Sequence, residues 1–330
     1  MIDGVAGADH SGQAVAVTDT APGHDTTASH VGPPSRWATV AASAWLWVVR
    51  AAWVVVGAAG WSVVEQISES RGHWSLGALG VATGTAWLIG VIGLAALSTI
   101  GLTATRVVIP LSAVFAAVAV SLEPGIESMV LALAAVVATV GVCSGDYGQR
   151  FVQSSAYGDE HRFALRPPAG YLVAATIAWL VWAGLSATMV GAFTTGRWWV
   201  GGVLGVLWVA ATVTASLRWH LLSTRWLVLV PAGVVVHDRL VLAETIMLKR
   251  SQIAHLSLAE TTSTAIDITG PSSGHAIEIR SRDEFAIVRA PRRGQAATPE
   301  TTAAILVAPT RPGRALEASH SRAISVGAPD

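Results

Sequence analysis

The sequence predicts a membrane protein made of a bundle of six transmembrane helices followed by a small all-β domain. Of its 330 residues, 52% are hydrophobic and only 13% are charged, whereas charged residues make up about 25% of a typical soluble domain. Long apolar runs extend from position 44 to position 217, and after Arg218 they give way to short runs rich in Val, Ile and Thr. This change of period separates a helical part from a β part.

Residues 1–36 predict a disordered tail, because they are rich in Asp, Gly, Ser, Thr and His and contain no apolar run that could form a core. The segment also lacks the positive start and adjoining apolar stretch of a signal peptide, so we expect no cleavage.

Residues 37–217 predict the helical bundle. A helix rises about 1.5 Å per residue and the hydrocarbon layer is about 30 Å thick, so a span needs about 20 residues. The predicted spans are about 44–64, 76–97, 107–122, 128–143, 170–193 and 198–217. Spans three and four are short, and they either recruit neutral flanks such as 99–105 or form a re-entrant hairpin that turns at 123–127. We favour full spanning, because irregular backbone at membrane depth must be covered by protein or water.

Arginines near the span ends predict the orientation. With the N-terminus in the cytosol, the cytosolic segments hold Arg36, Arg106, Arg150, Arg162, Arg166, Arg218 and Arg225, and the opposite side holds Arg71 and Arg197. Because positive residues accumulate on the cytosolic side, we expect both termini in the cytoplasm. The expected location is the cell inner (plasma) membrane. Arg50, inside the first span, is expected to snorkel to the headgroups.

Residues 218–320 predict the β domain, and 321–330 a disordered tail. Predicted strands are 226–230, 234–237, 264–269, 275–280, 285–289 and 303–309, with one or two more between 240 and 258 and a closing helix over 311–320. Turn signals such as Pro231-Ala-Gly233 and Gly270-Pro-Ser-Ser-Gly274 separate them. A domain with its own alternating strands is expected to fold without the membrane.

The stretch Arg225-Trp-Leu-Val-Leu-Val-Pro-Ala-Gly-Val-Val-Val-His-Asp238, with the strand at 253–258 and the later hairpins, resembles the bacterial pleckstrin-homology-like (PH-like) modules attached to membrane segments. The segment Tyr157-Gly-Asp-Glu-His-Arg-Phe-Ala-Leu-Arg-Pro-Pro168 is similar to a loop in uncharacterised actinobacterial multi-pass membrane proteins. The resemblance implies a cytosolic PH-like domain and names no reaction.

Motifs for catalysis and metal binding are weak. Cys143 and Ser272 occupy G-x-[SC]-x-G patterns, but the first closes a predicted span and the second lies at a hairpin tip, which are the wrong contexts for a nucleophile elbow. His237, His255 and His275 lack the spacing of a metal site. We therefore expect no catalytic residue, no cofactor and no metal. Since the net charge is zero, we also expect no nucleic-acid partner.

Three functions remain open. The first is a non-enzymatic scaffold or binding protein that presents the β domain to protein or lipid partners, and the second is a transporter, or a subunit of one, for a neutral or lipidic substrate. The third is a membrane enzyme using Asp146, Tyr147, Asp159, Glu160 or His161 of the 144–169 loop. For the first we expect the loop and the β domain to form one composite surface beside the membrane lipids. Its candidate partner or lipid contacts are Arg150, Phe151, Tyr157, Phe163, Arg166, Lys249 and Arg250.

Overall fold

The structure, a computed structural model, describes residues 36–71, 73–291, 297 and 299–327. In that part of the chain the helices are α1 (Arg36–Arg71), α2 (His73–Ala95), α3 (Thr99–Leu122), α4 (Ile126–Cys143), α5 (Gly145–Ser154), α6 (Ala169–Thr194), α7 (Trp198–Ser223) and α8 (Pro312–Ser321). The predicted N-terminal tail up to residue 35 and the last three residues of the predicted C-terminal tail lie outside the described residues.

Six helices of the described chain are long and apolar enough to cross a membrane, which confirms the predicted multi-pass helical bundle. Their apolar segments are Ala44–Ser70, Gly77–Ala95, Thr99–Leu122, Ile126–Cys143, Ala169–Thr194 and Trp198–Ser223. The third span recruits the neutral segment 99–105 and reaches 24 residues, and α4 has 18. Both lengths agree with full spanning rather than with a re-entrant hairpin.

The bundle contains two packing groups. In the first, α1 packs against α2 and α4, and α3 packs against the same two helices. Its buried core includes Trp53, Ile109 and Leu131. The second group is the α6–α7 hairpin, in which Trp182 stacks on Trp208 with ring centroids 5.9 Å apart. This hairpin contacts α2 and α3.

Glycines permit close helix approach at some positions and leave open space at others. A Cβ on Gly141 would overlap Val49 of α1, and one on Gly201 would overlap the Phe193 ring of α6. Nothing lies within 4 Å of the Cβ position of Gly80 or Gly84 on α2. Helix packing therefore explains the first two glycines and does not explain the second pair.

Two arginines of the bundle bind the carboxyl ends of neighbouring helices. Arg50 donates from Nη2 to the Leu94 carbonyl at 2.8 Å, in the last turn of α2. Arg106 donates from Nε to the Val142 carbonyl at 3.0 Å, at the end of α4. A cation is favoured there because the last carbonyls of a helix carry partial negative charge. The side chain of Arg50, which was predicted to extend to the lipid headgroups, therefore binds a backbone carbonyl of the protein.

The rest of the described chain forms a β region with two four-stranded sheets. The first has the order β1 (His161–Ala164), β2 (Trp226–Val230), β3 (Gly233–His237), β4 (Ile246–Lys249), all antiparallel. The second has the order β5 (Ile253–Leu258), β7 (Ile277–Val288), β8 (Pro299–Val307), β6 (Ile266–Asp267). One apolar core that includes Leu229, Leu256 and Ile305 joins the sheets.

Most predicted strands are present with changed bounds. The strand at 226–230 coincides with β2, and the two expected between 240 and 258 are β4 and β5. The segments 275–280 and 285–289 form one strand, β7, with an irregular register between Arg280 and Phe285. The predicted strand at 264–269 shrinks to the two residues of β6, and α5 and β1 were not predicted.

The C-terminal segment packs on the β region further than the sequence indicates. Helix α8 occupies the predicted position, and Ile324 beyond it is buried in the β core. The Leu256 amide donates to the Ser325 carbonyl at 2.9 Å, so the segment lies along the edge of β5. The predicted tail boundary at 321 was therefore too early, because the packed chain continues to Gly327, whose amide donates to the Leu256 carbonyl at 3.1 Å.

Candidate functional site

The loop between α4 and α6 enters the β region as a strand. Phe163 of β1 lies opposite Leu227 of β2. Beyond β1, the Leu165 amide donates to the Arg225 carbonyl at 3.1 Å and the Arg166 amide donates to the Ala308 carbonyl at 2.8 Å. These contacts confirm the prediction that the loop and the β region meet.

A buried ion pair fixes the junction between α7 and the β region. Arg225 donates from Nε to Asp238 Oδ1 at 2.8 Å and from Nη2 to Oδ2 at 2.5 Å, and both side chains are only 1% exposed. Its Nη1 donates to the Arg166 carbonyl at 2.5 Å. This bidentate geometry is a strong, directional form of ion pair. Arg225 therefore links the end of α7, the end of β3 and the loop.

Two exposed ion pairs add to this junction. Arg311, before α8, binds Asp146 of α5 with Nη2 to Oδ2 at 2.6 Å, and the hydrogen bond and charge of Asp146 raise the pKa of Arg311. Arg322 binds Asp159 at 2.5 Å. The C-terminal part of the β region is thus held to the loop at two further points.

A stacked cluster lies on the face of β1 and β2 where Trp226 packs against the bundle core. The Arg162 guanidinium lies 5.5 Å from the Trp226 ring centroid, and the His237 ring stacks on Trp226 at 5.1 Å. The hydrogen bond from Arg162 lowers the pKa of Glu160. Burial, with the positive charge of Arg239 next, lowers the pKa of His237. The neutral imidazole is therefore favoured in this cluster.

The structure separates the predicted contact residues. Phe151 is buried in the bundle core and Phe163 in the β core, so neither side chain can contact a partner. Tyr157 is 80% exposed, and Arg150 is also exposed. Arg166 donates to the His275 carbonyl, and burial lowers the pKa of its guanidinium.

Lys249 and Arg250 lie at the end of the first sheet that is remote from α7. Strand β2 starts three residues after α7 ends and extends about 17 Å at 3.4 Å per residue. Lys249 pairs with Gly233 at the far end of β3, and the Arg250 amide donates to the Ala232 carbonyl at 2.8 Å. Both side chains are exposed. These two residues are therefore distant from the α7 end of the sheet.

The candidate catalytic residues of the loop serve other contacts. Tyr147 donates to Thr105 Oγ1 at 3.0 Å, and burial raises its pKa to about 12. Asp146, Asp159 and Glu160 bind arginines, and His161 is exposed. Cys143 ends α4 as an exposed thiol. The structure does not bring these side chains together around one reacting position.

Histidine positions were the remaining sequence candidates for metal ligands. His237 shares a hydrogen bond with Thr245 at 3.0 Å, and His255 lies on the other sheet. Within the described ranges, no group of three or more His, Cys, Asp or Glu side chains could hold a metal ion.

A cavity of about 1230 Å³, which sequence patterns do not predict, lies among α1, α2, α3 and α6. Its lining extends from Trp53 and Trp87 to Leu122 and Gly196. Those last two residues lie at the α3–α4 and α6–α7 connections, at the end of the bundle opposite the β region. We call it the bundle cavity.

Sequence reasoning also missed the Arg225–Asp238 pair. The available signal was that Arg225 and Asp238 flank the two apolar segments of β2 and β3, and antiparallel pairing of these strands brings their outer ends together. Comparisons with protein-family models, curated proteins and solved structures give no match.

Proposed function

We propose that this chain is a non-enzymatic membrane protein whose β region binds a soluble protein partner, while the helix bundle holds that region in a fixed position. The observation that carries the proposal is the junction: β1 from the inter-helix loop pairs with β2, and Arg225 binds Asp238 and the Arg166 carbonyl. A module tied to its anchor at several points presents one fixed surface to a partner.

The exposed surface of the β region supports an acidic partner segment. The Arg282 amide donates to the Gln252 carbonyl at 2.7 Å, which brings Arg282 near Lys249 and Arg250. We call these three exposed residues the basic turn. Met247 on the adjoining edge strand β4 is 54% exposed and adds an apolar contact. Positive charge beside an exposed apolar side chain suits an acidic segment that carries an apolar residue.

The position of the basic turn favours protein over lipid. Attraction to anionic headgroups falls off within a Debye length of about 8 to 10 Å. The length of β2, about 17 Å, separates the turn from the end of α7. Anionic lipid is therefore the alternative outcome of the test and not part of the proposal.

The setting of the protein is also a proposal. We propose a plasma membrane location with both termini in the cytoplasm, supported by the distribution of arginines among the inter-helix segments. We further propose that the β region is a PH-like module of an actinobacterial membrane protein. Two sheets around one core and the helix α8 after them support this assignment, and β1 is an addition from the loop.

The test is site-specific photocrosslinking in intact cells, with the crosslinker at Met247. We expect one discrete crosslinked protein in the wild type, and its loss when Lys249 and Arg250 are both changed to Glu. Arg314→Glu is the matched control, because Arg314 is an exposed arginine of α8 outside the basic turn, and it should retain the crosslink. Lipid-only crosslinks, or loss of the crosslink in both variants, contradict the proposal.

The alternative function is transport of a neutral or lipidic substrate, which the bundle cavity is large enough to hold. Transport needs an opening toward each side of the membrane. At the end nearer the β region the cavity stops at Trp53 and Trp87, whose side chains bind each other's backbone. Uptake of a labelled lipid by vesicles that contain the protein, measured against empty vesicles, would support transport over scaffolding.

A further inference from the structure

We propose that the bundle cavity binds the hydrocarbon chains of a bilayer lipid whose zwitterionic headgroup carries an amine and lies at the end of the bundle opposite the β region. The proposal is independent of the protein partner proposed above. It depends on the closed end, the polarity and size of the lining, and the charge at the rim of the cavity.

Two tryptophans close the cavity toward the β region. Trp53 Nε1 donates to the Trp87 carbonyl at 3.1 Å, and Trp87 Nε1 donates to the Trp53 carbonyl at 3.0 Å. Glycines make room for both rings, since a Cβ on Gly57 would overlap Trp87 and one on Gly90 would overlap Trp53. A ligand can therefore enter only from the bilayer or from the opposite end.

The deep hydroxyls of the lining offer a ligand no free O–H donor. Thr83 donates to the Leu79 carbonyl at 2.8 Å and Ser112 to the Ile109 carbonyl at 2.6 Å. Ser186 donates to the Trp182 carbonyl at 2.8 Å and accepts from Trp208 Nε1 at 2.7 Å. A buried polar group without a partner is unfavourable, so this lining favours a hydrocarbon chain over a sugar or other polar solute.

The size of the cavity suits lipid chains. Protein interiors are close-packed, with few voids larger than a water molecule, and ligand pockets usually measure about 300 to 1,000 Å³. The bundle cavity, at about 1230 Å³, exceeds that range. Its lining belongs to four helices that are apolar enough to cross a membrane, and at that depth the abundant molecules are lipid chains.

The charge at the rim selects the headgroup. Trp61, which lines the cavity, donates to Glu65 Oε1 at 2.7 Å, and Ser70 donates to Glu123 Oε1 at 2.8 Å beside the lining residue Leu122. Glu65 and Glu123 thus place two carboxylates at this end of the bundle, where Arg197 is an exposed arginine. This balance attracts an ammonium group and repels an anionic headgroup.

The experiment measures lipid bound to the full chain. The protein is placed in vesicles of equal phosphatidylethanolamine, phosphatidylcholine and phosphatidylglycerol, extracted in mild detergent, washed, and analysed by native mass spectrometry. We expect phosphatidylethanolamine retained at a fixed low stoichiometry in the wild type. Replacing Gly84 and Gly191 by Phe fills the cavity without a backbone clash, because nothing lies within 4 Å of either Cβ position. Retention should then fall about tenfold, or about 1.4 kcal/mol.

Gly184→Phe is the matched control, since Gly184 is also open at its Cβ position but does not line the cavity. It should retain lipid as the wild type does, and Glu65→Gln should reduce the preference for phosphatidylethanolamine. Melting temperatures of all variants verify folding. Equal retention in the cavity-filled variant and the control, or enrichment of phosphatidylglycerol, overturns the proposal.

A second experiment applies if the cavity-filled variant has a lower melting temperature than the wild type. The wild-type protein is then labelled with a lipid that carries a photoreactive group on its hydrocarbon chain. Crosslinks at Val54 or Ala82 support the cavity, and crosslinks confined to the exposed face of α7 overturn it.

Discussion

Arg225 joins three parts of the chain at one guanidinium. It is the second residue after the last apolar helix and binds Asp238 after β3 and the carbonyl of Arg166 in the loop. Removing one member of a buried ion pair leaves an uncompensated charge, whereas replacing both members by apolar residues is often tolerated. The pair therefore sets how α7 meets the first sheet.

Asp238→Asn should destabilise the β region by about 3 to 5 kcal/mol, because Arg225 remains buried without its carboxylate. The double change Arg225→Leu with Asp238→Leu should recover part of that loss. Thermal unfolding of the full chain in lipid nanodiscs provides the measurement. The exposed pair Arg289–Glu300 is the control, and Glu300→Gln should cost about 0 to 1 kcal/mol. Equal losses at the two sites would contradict the role of the buried pair.

The pH dependence of the first sheet should depend on His237. Its pKa is lowered in the folded state by burial and by Arg239, so the unfolded chain binds a proton more readily. His237 therefore contributes to the free energy of unfolding in full above the ordinary histidine pKa of about 6.5. That contribution is lost as the pH falls through the lower pKa that His237 has in the folded protein. The melting temperature should fall less between pH 7.5 and 5.5 in His237→Phe, which keeps a ring against Trp226. An unchanged slope would exclude this group as the cause.

Strand β1 and helix α5 show why the 144–169 segment was interpreted as a loop. The run His161–Ala164 is only four residues long, and its alternation of exposed and buried positions is too short to stand out in the sequence. By contrast, the six apolar helices follow directly from their length and composition. The bundle cavity depends on which helix faces meet, and a uniformly apolar helix carries little information about its facing side.

Phe163 should be the main apolar contact between β1 and the β core. It is buried there, while Asp159, which binds Arg322, has a side chain that is 75% exposed. We expect Phe163→Ala to cost about 3 kcal/mol through the cavity it leaves, and Asp159→Asn about 0 to 1 kcal/mol. Hydrogen exchange of the amides in β1 and β2 provides the comparison. If the two variants exchange equally fast, packing of Phe163 does not hold the strand.

At the scale of the whole fold, the described residues form an α-helical bundle and a β region within one compact unit. The pairing of β1 with β2 requires that the segments before α6 and after α7 lie on the same side of the membrane. The arginine distribution supports our proposal that this side is the cytosol. The sequence predicted the number of spans but could not show this link, because it depends on a contact across two helices.

Cysteine labelling in intact cells tests the orientation, with Cys143→Ser as background. Single cysteines at Ser70 and Glu127 should react with a membrane-impermeant reagent from outside, and those at Tyr157 and Ser273 should react only after lysis. All four positions are exposed. Glu127 is chosen over its neighbour Ser128 because Ser128 is buried, and a cysteine there would react poorly with the reagent. Labelling of Tyr157→Cys or Ser273→Cys in intact cells would contradict a cytosolic β region.

Strand β1 also imposes an order on biosynthesis. The ribosome makes β1 before α6 and α7, and β2 only after them. Because β1 and β2 must meet on one side, the first sheet can close only after both helices have inserted as a hairpin. If either helix failed to insert, Phe163 and Leu227 would lie on opposite sides of the membrane. Their apolar side chains would then be exposed to water. We therefore expect completion of the first sheet to depend on correct insertion of α6 and α7, and a misinserted chain to leave β1 unpaired.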